Sequence, residues 1–524
     1  MTEIHAGTGT GQGTQPELAP PPSCPAHAGY AAAGAGGLAR LYGKTAESDP
    51  LGIYAHLREQ YGAVAPVAMY GDVPAWLVLG YRENMDVART PNRFTRDARQ
   101  WTDLQQGLLP SDSPLIPMVG WRPDCVSQDG PEHRRLRSAV NDSLNTFDRL
   151  GMRRYIRHYA EQLIDTFCMD GHADLLGQYA RYLPMHVLTR MIGLSEEFAP
   201  QLVEASLAAV KGTEEALAAD RFITDTLTRL VAERHEDPAY DLASRLIEHE
   251  AGLTDEEVMV HLRLVMVAAY ETTTTLIANT TRMVLTDPRF RASLTGGLMT
   301  VPDAVEQVLW DEPPLQVCPA RFATDDTELG GQQIKAGDML LLGLVAGNTD
   351  PYIRPDPEAS MQGNRAHLAF SRGPHECPGQ DIGRMITEIG VDTLLARLPD
   401  VRLSLTEDEL SYTSNTWSRH LDELPARFTP QRPAVADGGG RKIASAVSGK
   451  PGDSHAVAAL SAGKVGAPTG AGPADAVPKP AAAPAPAGSA SAAEAAARAA
   501  TGASRGLAVR LRALWSGLTG RSRG

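Results

Sequence analysis

One short loop carries the most distinctive chemistry in this chain. Cys377 stands in Phe370-Ser371-Arg372-Gly373-Pro374-His375-Glu376-Cys377-Pro378-Gly379, framed by glycines and opening onto a helix expected after Gly379. N–H groups at a helix start and beside glycines hydrogen-bond to sulfur, so such a loop favours the thiolate, the form that acts as nucleophile or metal ligand. Taken alone, the same residue reads more plainly as a buried, inert cysteine. A second group is Ala268-Ala269-Tyr270-Glu271-Thr272-Thr273, inside a long apolar helix expected over about 254–285. A carboxyl beside a hydroxyl can relay protons; a threonine bonded back to the preceding turn, next to a solvated glutamate, is the ordinary alternative. Third is Asp129-Gly130-Pro131-Glu132-His133-Arg134-Arg135-Leu136-Arg137. Pro131 suits a first helical turn, and His133 and Arg137 share one face that would suit a carboxylate. A lone basic helix face is usually only solvated.

The elements that must position these groups are mostly helical. The first forty or so residues are Gly, Ala, Pro and Thr with little else, a disordered composition. Residues 7–11 imitate a glycine-rich phosphate loop but lack the flanking strand and helix. A helical pattern covers 54–58, and a strand pattern covers 75–79, closed by Gly80. Residues 98–127 show no periodicity and carry several prolines, which points to a long functional loop. From 131 to 282 the pattern is helical, with breaks expected at Gly151, Gly171, Pro200, Pro238 and Gly252. A mixed region with short strands spans about 314–345. After Pro433 the composition turns to Ala, Gly, Pro and Ser, a linker.

The cysteine loop resembles the signature F-x-x-G-x-H-x-C-x-G of cytochromes P450, matching at Phe370, Gly373, His375, Cys377 and Gly379. Ser371 stands where a second glycine is common. The resemblance extends over about residues 45–430 and implies one mainly α domain with small β-sheets. It implies haem b as cofactor, with Cys377 as the axial ligand of its iron. His133, Arg137, Arg321 (in Pro319-Ala320-Arg321-Phe322-Ala323) and His375 would bind its propionates. Glu271 would pass protons, and Thr272 would hold its hydroxyl beside the oxygen site. Ala269 replaces the usual glycine, so less local widening of the helix is expected. The organisation read in this way is a tail over 1–44, a haem domain over 45–432, a linker over 433–505 and a short basic amphipathic helix over 506–524.

The implied activity is a monooxygenase that inserts one atom of O2 into a small apolar substrate. The chain has no flavin or nicotinamide fingerprint, so a ferredoxin and its reductase would supply the electrons, docking near Arg134, Arg135 and Arg384. The alternative is a haem-thiolate sensor or scaffold with little turnover. One family motif is broken. Members carry E-x-x-R on a helix before a proline-rich turn, but counting back from Pro313 places Gln307 and Trp310 there, with Glu306 one position early. The meander that normally completes this motif's ion network, Pro355-Asp356-Pro357 through Arg365, offers Arg365 as its only arginine. The expectation is that Glu306 points elsewhere on the helix and that Gln307 accepts from the Trp310 indole N–H. In lacking the motif the chain resembles a subset of actinobacterial members.

The net charge of −14 argues against nucleic acid as a partner. It is unevenly spread: residues 434–524 hold 11 Lys/Arg against 4 Asp/Glu, which leaves −21 on the rest. Five widely spaced cysteines, Cys24, Cys125, Cys168, Cys318 and Cys377, make a poor disulfide framework and fit a reducing cytosol. The first residues lack the basic and apolar regions of a signal peptide, so none is expected, and no run of about 20 apolar residues occurs. On a helical wheel Leu507, Leu511, Leu514, Trp515 and Leu518 fall within an arc of about 100°, flanked by Arg510 and Arg512. That layout suits a helix lying on an anionic membrane at the inner face of the cell membrane, or one docking into a protein groove; a frayed terminus is the plain alternative. Full-length protein is expected to co-sediment with anionic vesicles in low salt, and a form ending at Pro433 is not. Equal binding by both forms removes the membrane reading.

Overall fold

The computed structural model describes residues 37–434, apart from 111, 112, 114, 212, 213, 291–298, 357, 358, 360 and 362. The linker after Ala434, the amphipathic segment 506–519 and most of the expected N-terminal tail therefore lie outside the described residues. The chain joins the fold earlier than the expected boundary at 45. Strand β1 (Ala39–Arg40) pairs in parallel with β2 (Val64–Met69), and Arg40 is fixed by Asp72 at 2.6 Å.

A mixed six-stranded sheet stands to one side of a helical body. Its strands are β1, β2, β3 (Val73–Val78), β4 (Phe94–Thr95), β5 (Val317–Ala323) and β6 (Met339–Gly343), in the order β1-β2-β3-β6-β5-β4. Every residue of β2 and β6 is buried, which explains why their sequences run apolar rather than alternating. A separate hairpin pairs β7 (Tyr412–Ser414) with β8 (Arg419–Leu421).

The helices that build the site are α1 (Pro50–Tyr61), α2 (Tyr81–Arg89), α3 (Gly130–Asn145), α4 (Arg149–Asp165), α5 (Tyr182–Ile192), α6 (Ala199–Lys211), α7 (Glu214–Glu236), α8 (Asp255–Thr286), α9 (Val301–Asp311) and α10 (Gln380–Arg397). The axis of the body is α8, about 48 Å long at 1.5 Å per residue. A capping box between Thr254 and Glu257 starts it. From Thr273 to Leu285 it is buried on every side, and along its length the helix packs against α5, α7, α9 and α10.

Two expected breaks move. Gly151 lies inside α4, because Asp148 caps that helix by accepting from the N–H groups of Leu150 and Gly151 at 3.0 and 2.8 Å. Pro200 sits in the first turn of α6, where its missing N–H costs nothing. The long loop 98–127 contains short helical turns at Ala98–Gln100, Thr102–Gln105 and Ile116–Val119.

Buried Asn348 ties α9 to the segment leading into the cysteine loop. Its amide donates to the Leu309 and Trp310 carbonyls, both at 3.0 Å, and its carbonyl accepts from Leu368 N–H at 2.7 Å. Asn348→Leu would leave three buried backbone groups unpaired. It is expected to destabilise the protein by about 2–4 kcal/mol, read as a lowered melting temperature.

Candidate active site

The cysteine loop is held in a conformation that its sequence only partly suits. Cys377 N–H donates to the Phe370 carbonyl at 2.9 Å, closing the loop on itself. Gly373 has φ 76°, and a Cβ there would lie 2.4 Å from the Ala88 carbonyl oxygen of α2, so no other residue fits. Ser371, where a second glycine is common, has φ 58° and a buried hydroxyl without a partner. A left-handed non-glycine residue carries a steric cost of about 1–2 kcal/mol. Burial pushes the Cys377 thiol up from its ordinary value, while the Gly379 N–H and the guanidiniums of Arg137 and Arg384 act in the opposite direction.

Three of the four candidate propionate residues meet in one corner. A β-bulge between Cys318 and Arg321, with Ala320 at φ 65°, sets the direction of Arg321. Its guanidinium is buried and, among the described residues, bonds only to the adjacent Ala320 carbonyl, at 3.2 Å. Burial, and after it Arg96, pushes that guanidinium down to about 9, the mark of a cation buried without an anion. The His133 and His375 rings lie 4.2 Å apart. His133 Nε2 and His375 Nδ1 are buried with no partner. The other nitrogen of His375, Nε2, meets Asp129 Oδ1 at 2.9 Å. Burial alone would raise Asp129, but hydrogen bonds from His375, Thr95 and the Arg96 N–H hold it at about 2. Arg137 is engaged differently: it donates to the Glu376 carbonyl in the cysteine loop and to Asn141 at 2.8 Å.

Asp129 and Arg96 were missed as site residues. The only sequence signal for Asp129 is its place just before Gly130-Pro131, and Arg96 gives none. Arg96 braces the bulge by donating to the carbonyls of Pro319 and Ala320.

The relay residues sit where α8 emerges from full burial. Val267 and Ala268 are exposed and Ala269, Glu271 and Thr272 partly so, while Thr273 onward is buried. The helix is continuous through this stretch. Thr272 Oγ1 donates back to the Ala268 carbonyl at 2.7 Å. Glu271 Oε1 lies 3.2 Å from His420 Nε2 on β8, a partner absent from the sequence reading. α10, which starts just after Cys377, packs on this part of α8: a Cβ on Gly383 would lie 3.9 Å from Thr273 Oγ1.

The broken motif is rebuilt from other parts of the chain, which corrects the expected Trp310–Gln307 bond and the expected docking role of Arg135 and Arg384. The Trp310 indole N–H donates to the Asn364 carbonyl at 2.7 Å rather than to Gln307, whose amide N–H donates to Asp311 at 2.7 Å. Glu306 does point elsewhere on the helix, but into a buried ion cluster. Arg384 of α10 donates to its carboxylate at 2.6 Å, His367 Nε2 lies at 3.2 Å and Arg365 at 3.5 Å. Burial works against the Glu306 carboxylate, yet His367 and Arg384 hold it at about 2. Arg384 also lies over the Phe370 ring at 4.5 Å. Arg384 is therefore buried structure and not part of a docking surface; Arg135 is likewise tied to Glu132 and Glu257.

The donor set fits haem b. A partly exposed cysteine stands at a helix start, and beside it an unpaired buried guanidinium and two orphaned imidazole nitrogens form a corner that lacks only an anion. Comparison with known proteins agrees. The Cytochrome P450 family model matches residues 312–415. The chain is 30% identical over 402 residues to the cytochrome P450 monooxygenase PikC of Streptomyces venezuelae, covering 75% of this chain and 94% of that protein. It is 30% identical over 406 residues to the mycinamicin IV hydroxylase/epoxidase of Micromonospora griseorubida, covering 74% and 95%. The solved structure of testerone-bound CYP154C4 from Streptomyces sp. ATCC 11861 matches with a TM-score of 0.69 at 28% identity, covering 75% of this chain and 98% of that one.

Removing one member of the Glu306 cluster strands a charge. Glu306→Gln is expected to cost about 3–5 kcal/mol, and Glu306→Gln with Arg384→Met less, measured by thermal or denaturant unfolding. Because the folded-state pKa of Glu306 is depressed, its stabilisation is present above the ordinary carboxylate value of 4.5 and is lost as pH falls toward about 2. The variant's acid unfolding should be shallower across that window. A wild-type acid profile for Glu306→Gln would refute the buried ion cluster.

Proposed function

Because this chain belongs to the cytochrome P450 family and is a haem b monooxygenase, we propose that Cys377 ligates the iron and that one atom of O2 is inserted into a C–H bond of a small apolar molecule. The observation that carries this reading is the cysteine loop set beside a cationic corner built for carboxylates. When bound, the haem supplies oxygen activation at an iron whose thiolate ligand favours O–O cleavage.

The chain's own residues do the rest. Arg321, His133 and His375 would hold the propionates by charge-assisted hydrogen bonds. Asp129 accepts from His375 Nε2–H, and His375 protonated at both nitrogens would also donate from Nδ1 to a propionate. Arg137, bonded to the Glu376 carbonyl, fixes the residue before the cysteine and adds positive charge at the corner. Glu271 passes protons inward. Thr272 turns its hydroxyl from the Ala268 carbonyl toward the oxygen site, a single χ1 rotation.

Electrons come from a ferredoxin reduced by its own reductase. Arg134 of α3 is exposed, and the exposed Arg149, Arg153, Arg154 and Arg157 of α4 extend the basic surface of an otherwise acidic body. Arg149 meets Asp381 of α10 at 3.1 Å, four positions beyond Cys377, which brings that surface close to the cysteine side. Such a patch attracts an acidic carrier in a salt-dependent way. Among the described residues no helix is long and apolar enough to cross a membrane. The location that fits is the cytoplasm, with any membrane contact reversible and made through 506–519.

The reduced carbon-monoxide complex should show the strongly red-shifted Soret band of thiolate ligation, and Cys377→Ser should abolish it. A globin-like spectrum of the wild type overturns the assignment. Arg321→Met should have opposite effects on the two forms. The haem-free protein gains stability, since a buried unpaired cation is removed, while haem is lost about tenfold faster or more, as expected for one missing charge-assisted hydrogen bond.

A further inference from the structure

Glu271 and Thr272 are neighbours in sequence but cannot face the same way, because successive helical residues are turned by about 100°. The residue that shares the Glu271 face is Thr275, one turn on. Against that face lies β8 of the C-terminal hairpin, and it brings a histidine. His420 Nε2 is 3.2 Å from Glu271 Oε1 and 3.1 Å from Ser418 Oγ, and its Nδ1 is 3.5 Å from Thr275 Oγ1. Ser418 Oγ is itself 3.5 Å from Glu271 Oε1 and 3.2 Å from Asn415 Oδ1.

These contacts fix the ring's role. A carboxylate can only accept, so the nitrogen facing Glu271 carries the proton, and Nδ1 is left to accept from the Thr275 hydroxyl. The neighbouring cation on the same strand is turned away: Arg419 donates to the Glu47 carbonyl at 2.7 Å and lies over the Tyr412 ring at 3.5 Å. Among the described residues His420 is the only ion-pair partner of Glu271. The His420 side chain is 21% exposed and that of Glu271 36%, while Thr275 beneath them is buried.

We infer that His420 is the positioning residue of the proton relay: it holds the Glu271 carboxylate against the hairpin and resupplies it with protons. The inference rests on the reading of Glu271 as the residue that delivers protons. A proton taken up at Nδ1, with the Thr275 hydroxyl turning to accept from it, makes the ring an imidazolium that passes its Nε2 proton to Glu271 Oε1. The neutral ring, now carrying Nδ1–H, then regains a proton from water at Nε2, and no electron moves. Imidazole suits this task because it is the side chain whose charge ordinarily changes near neutral pH. The Thr275 and Ser418 hydroxyls keep the ring in register while the proton is exchanged. The arrangement also couples proton supply to the hairpin, whose turn is fastened to β5 through the Trp417 carbonyl and the N–H groups of Gln316 and Val317 at 2.9 and 3.0 Å.

The test uses full-length, haem-loaded protein as wild type, His420→Gln, Glu271→Gln and the double variant. Glutamine keeps an N–H for the carboxylate but cannot exchange a proton as imidazole does. Oxygen consumption is driven by a plant-type ferredoxin and its reductase, with no organic substrate added, in light and heavy water. His420→Gln should consume oxygen about fivefold more slowly or worse, with a larger solvent isotope effect and an unchanged carbon-monoxide Soret band, and the double variant should be no slower than Glu271→Gln. In parallel, the ferrous carbonyl form carrying 15N-histidine should show one ring, identified by its loss in His420→Gln, protonated at Nε2 and shifted by Glu271→Gln. If Glu271→Gln is slow and His420→Gln is normal, the inference about His420 is wrong and the reading of Glu271 stands. If both variants behave as the wild type, the reading of Glu271 fails and takes the inference with it. Should His420→Gln fail to load haem, the spectrum decides, since no histidine ring that responds to Glu271→Gln would overturn the pairing.

Discussion

A carboxylate taken out of water must find cations or lose its charge, and in this protein Glu306 is that carboxylate. It lies on α9, and its partners come from two other places. Arg384 belongs to the helix that follows the cysteine, and His367 to the segment that precedes it. The cluster therefore joins the helical body to both ends of the loop that presents Cys377. Arg384 extends the tie by lying over Phe370, whose carbonyl receives the Cys377 N–H. A thiolate ligand needs a loop that does not drift, and a buried ion cluster with several partners is stiffer than any one contact.

The second constraint is complementary. In one corner a carboxylate is well provided for, while a few residues away cations are left wanting one. Arg321 is buried with only a backbone carbonyl for company, and two histidine nitrogens beside it have no partner. A folded chain does not usually keep a guanidinium in that state, since the cost is several kcal/mol. The corner is paid for elsewhere in the fold, by the β-bulge at 319–320 and the bracing of Arg96, and it makes physical sense once two carboxylates of a bound cofactor complete it. Strain at Ser371 belongs to the same pattern, in which the cysteine loop keeps a left-handed residue even where the sequence does not offer glycine.

Between these fixed points, α8 carries the residues proposed to move protons. Its regular geometry sends Glu271 and Thr272 to different sides, one toward the hairpin and one back onto its own turn. The two neighbouring residues therefore answer to different surroundings.

Much of this was legible in the sequence. The cysteine loop, the H-x-x-x-R helix start, Arg321 and the acid–hydroxyl pair all lie in short local patterns, and local patterns survive folding because neighbours in sequence remain neighbours in space. The single mainly α domain with small sheets followed from the same motifs. What the sequence misplaced were interactions between distant segments. Gln307 and Trp310 looked like partners because they are three apart on one helix, yet each bonds to a group brought in by the tertiary fold. Arg365 looked like the only available arginine, and Arg384, some twenty residues further on, proved closer to Glu306. Asp129, Arg96 and His420 gave no usable signal, because a lone aspartate, arginine or histidine acquires a role only through what is packed against it. The sequence by itself determined which chemical groups are present and which local elements carry them. The pairing of buried charges was decided by tertiary structure alone, because in a low-dielectric interior a charge must pair with whatever opposite charge the packing brings within reach.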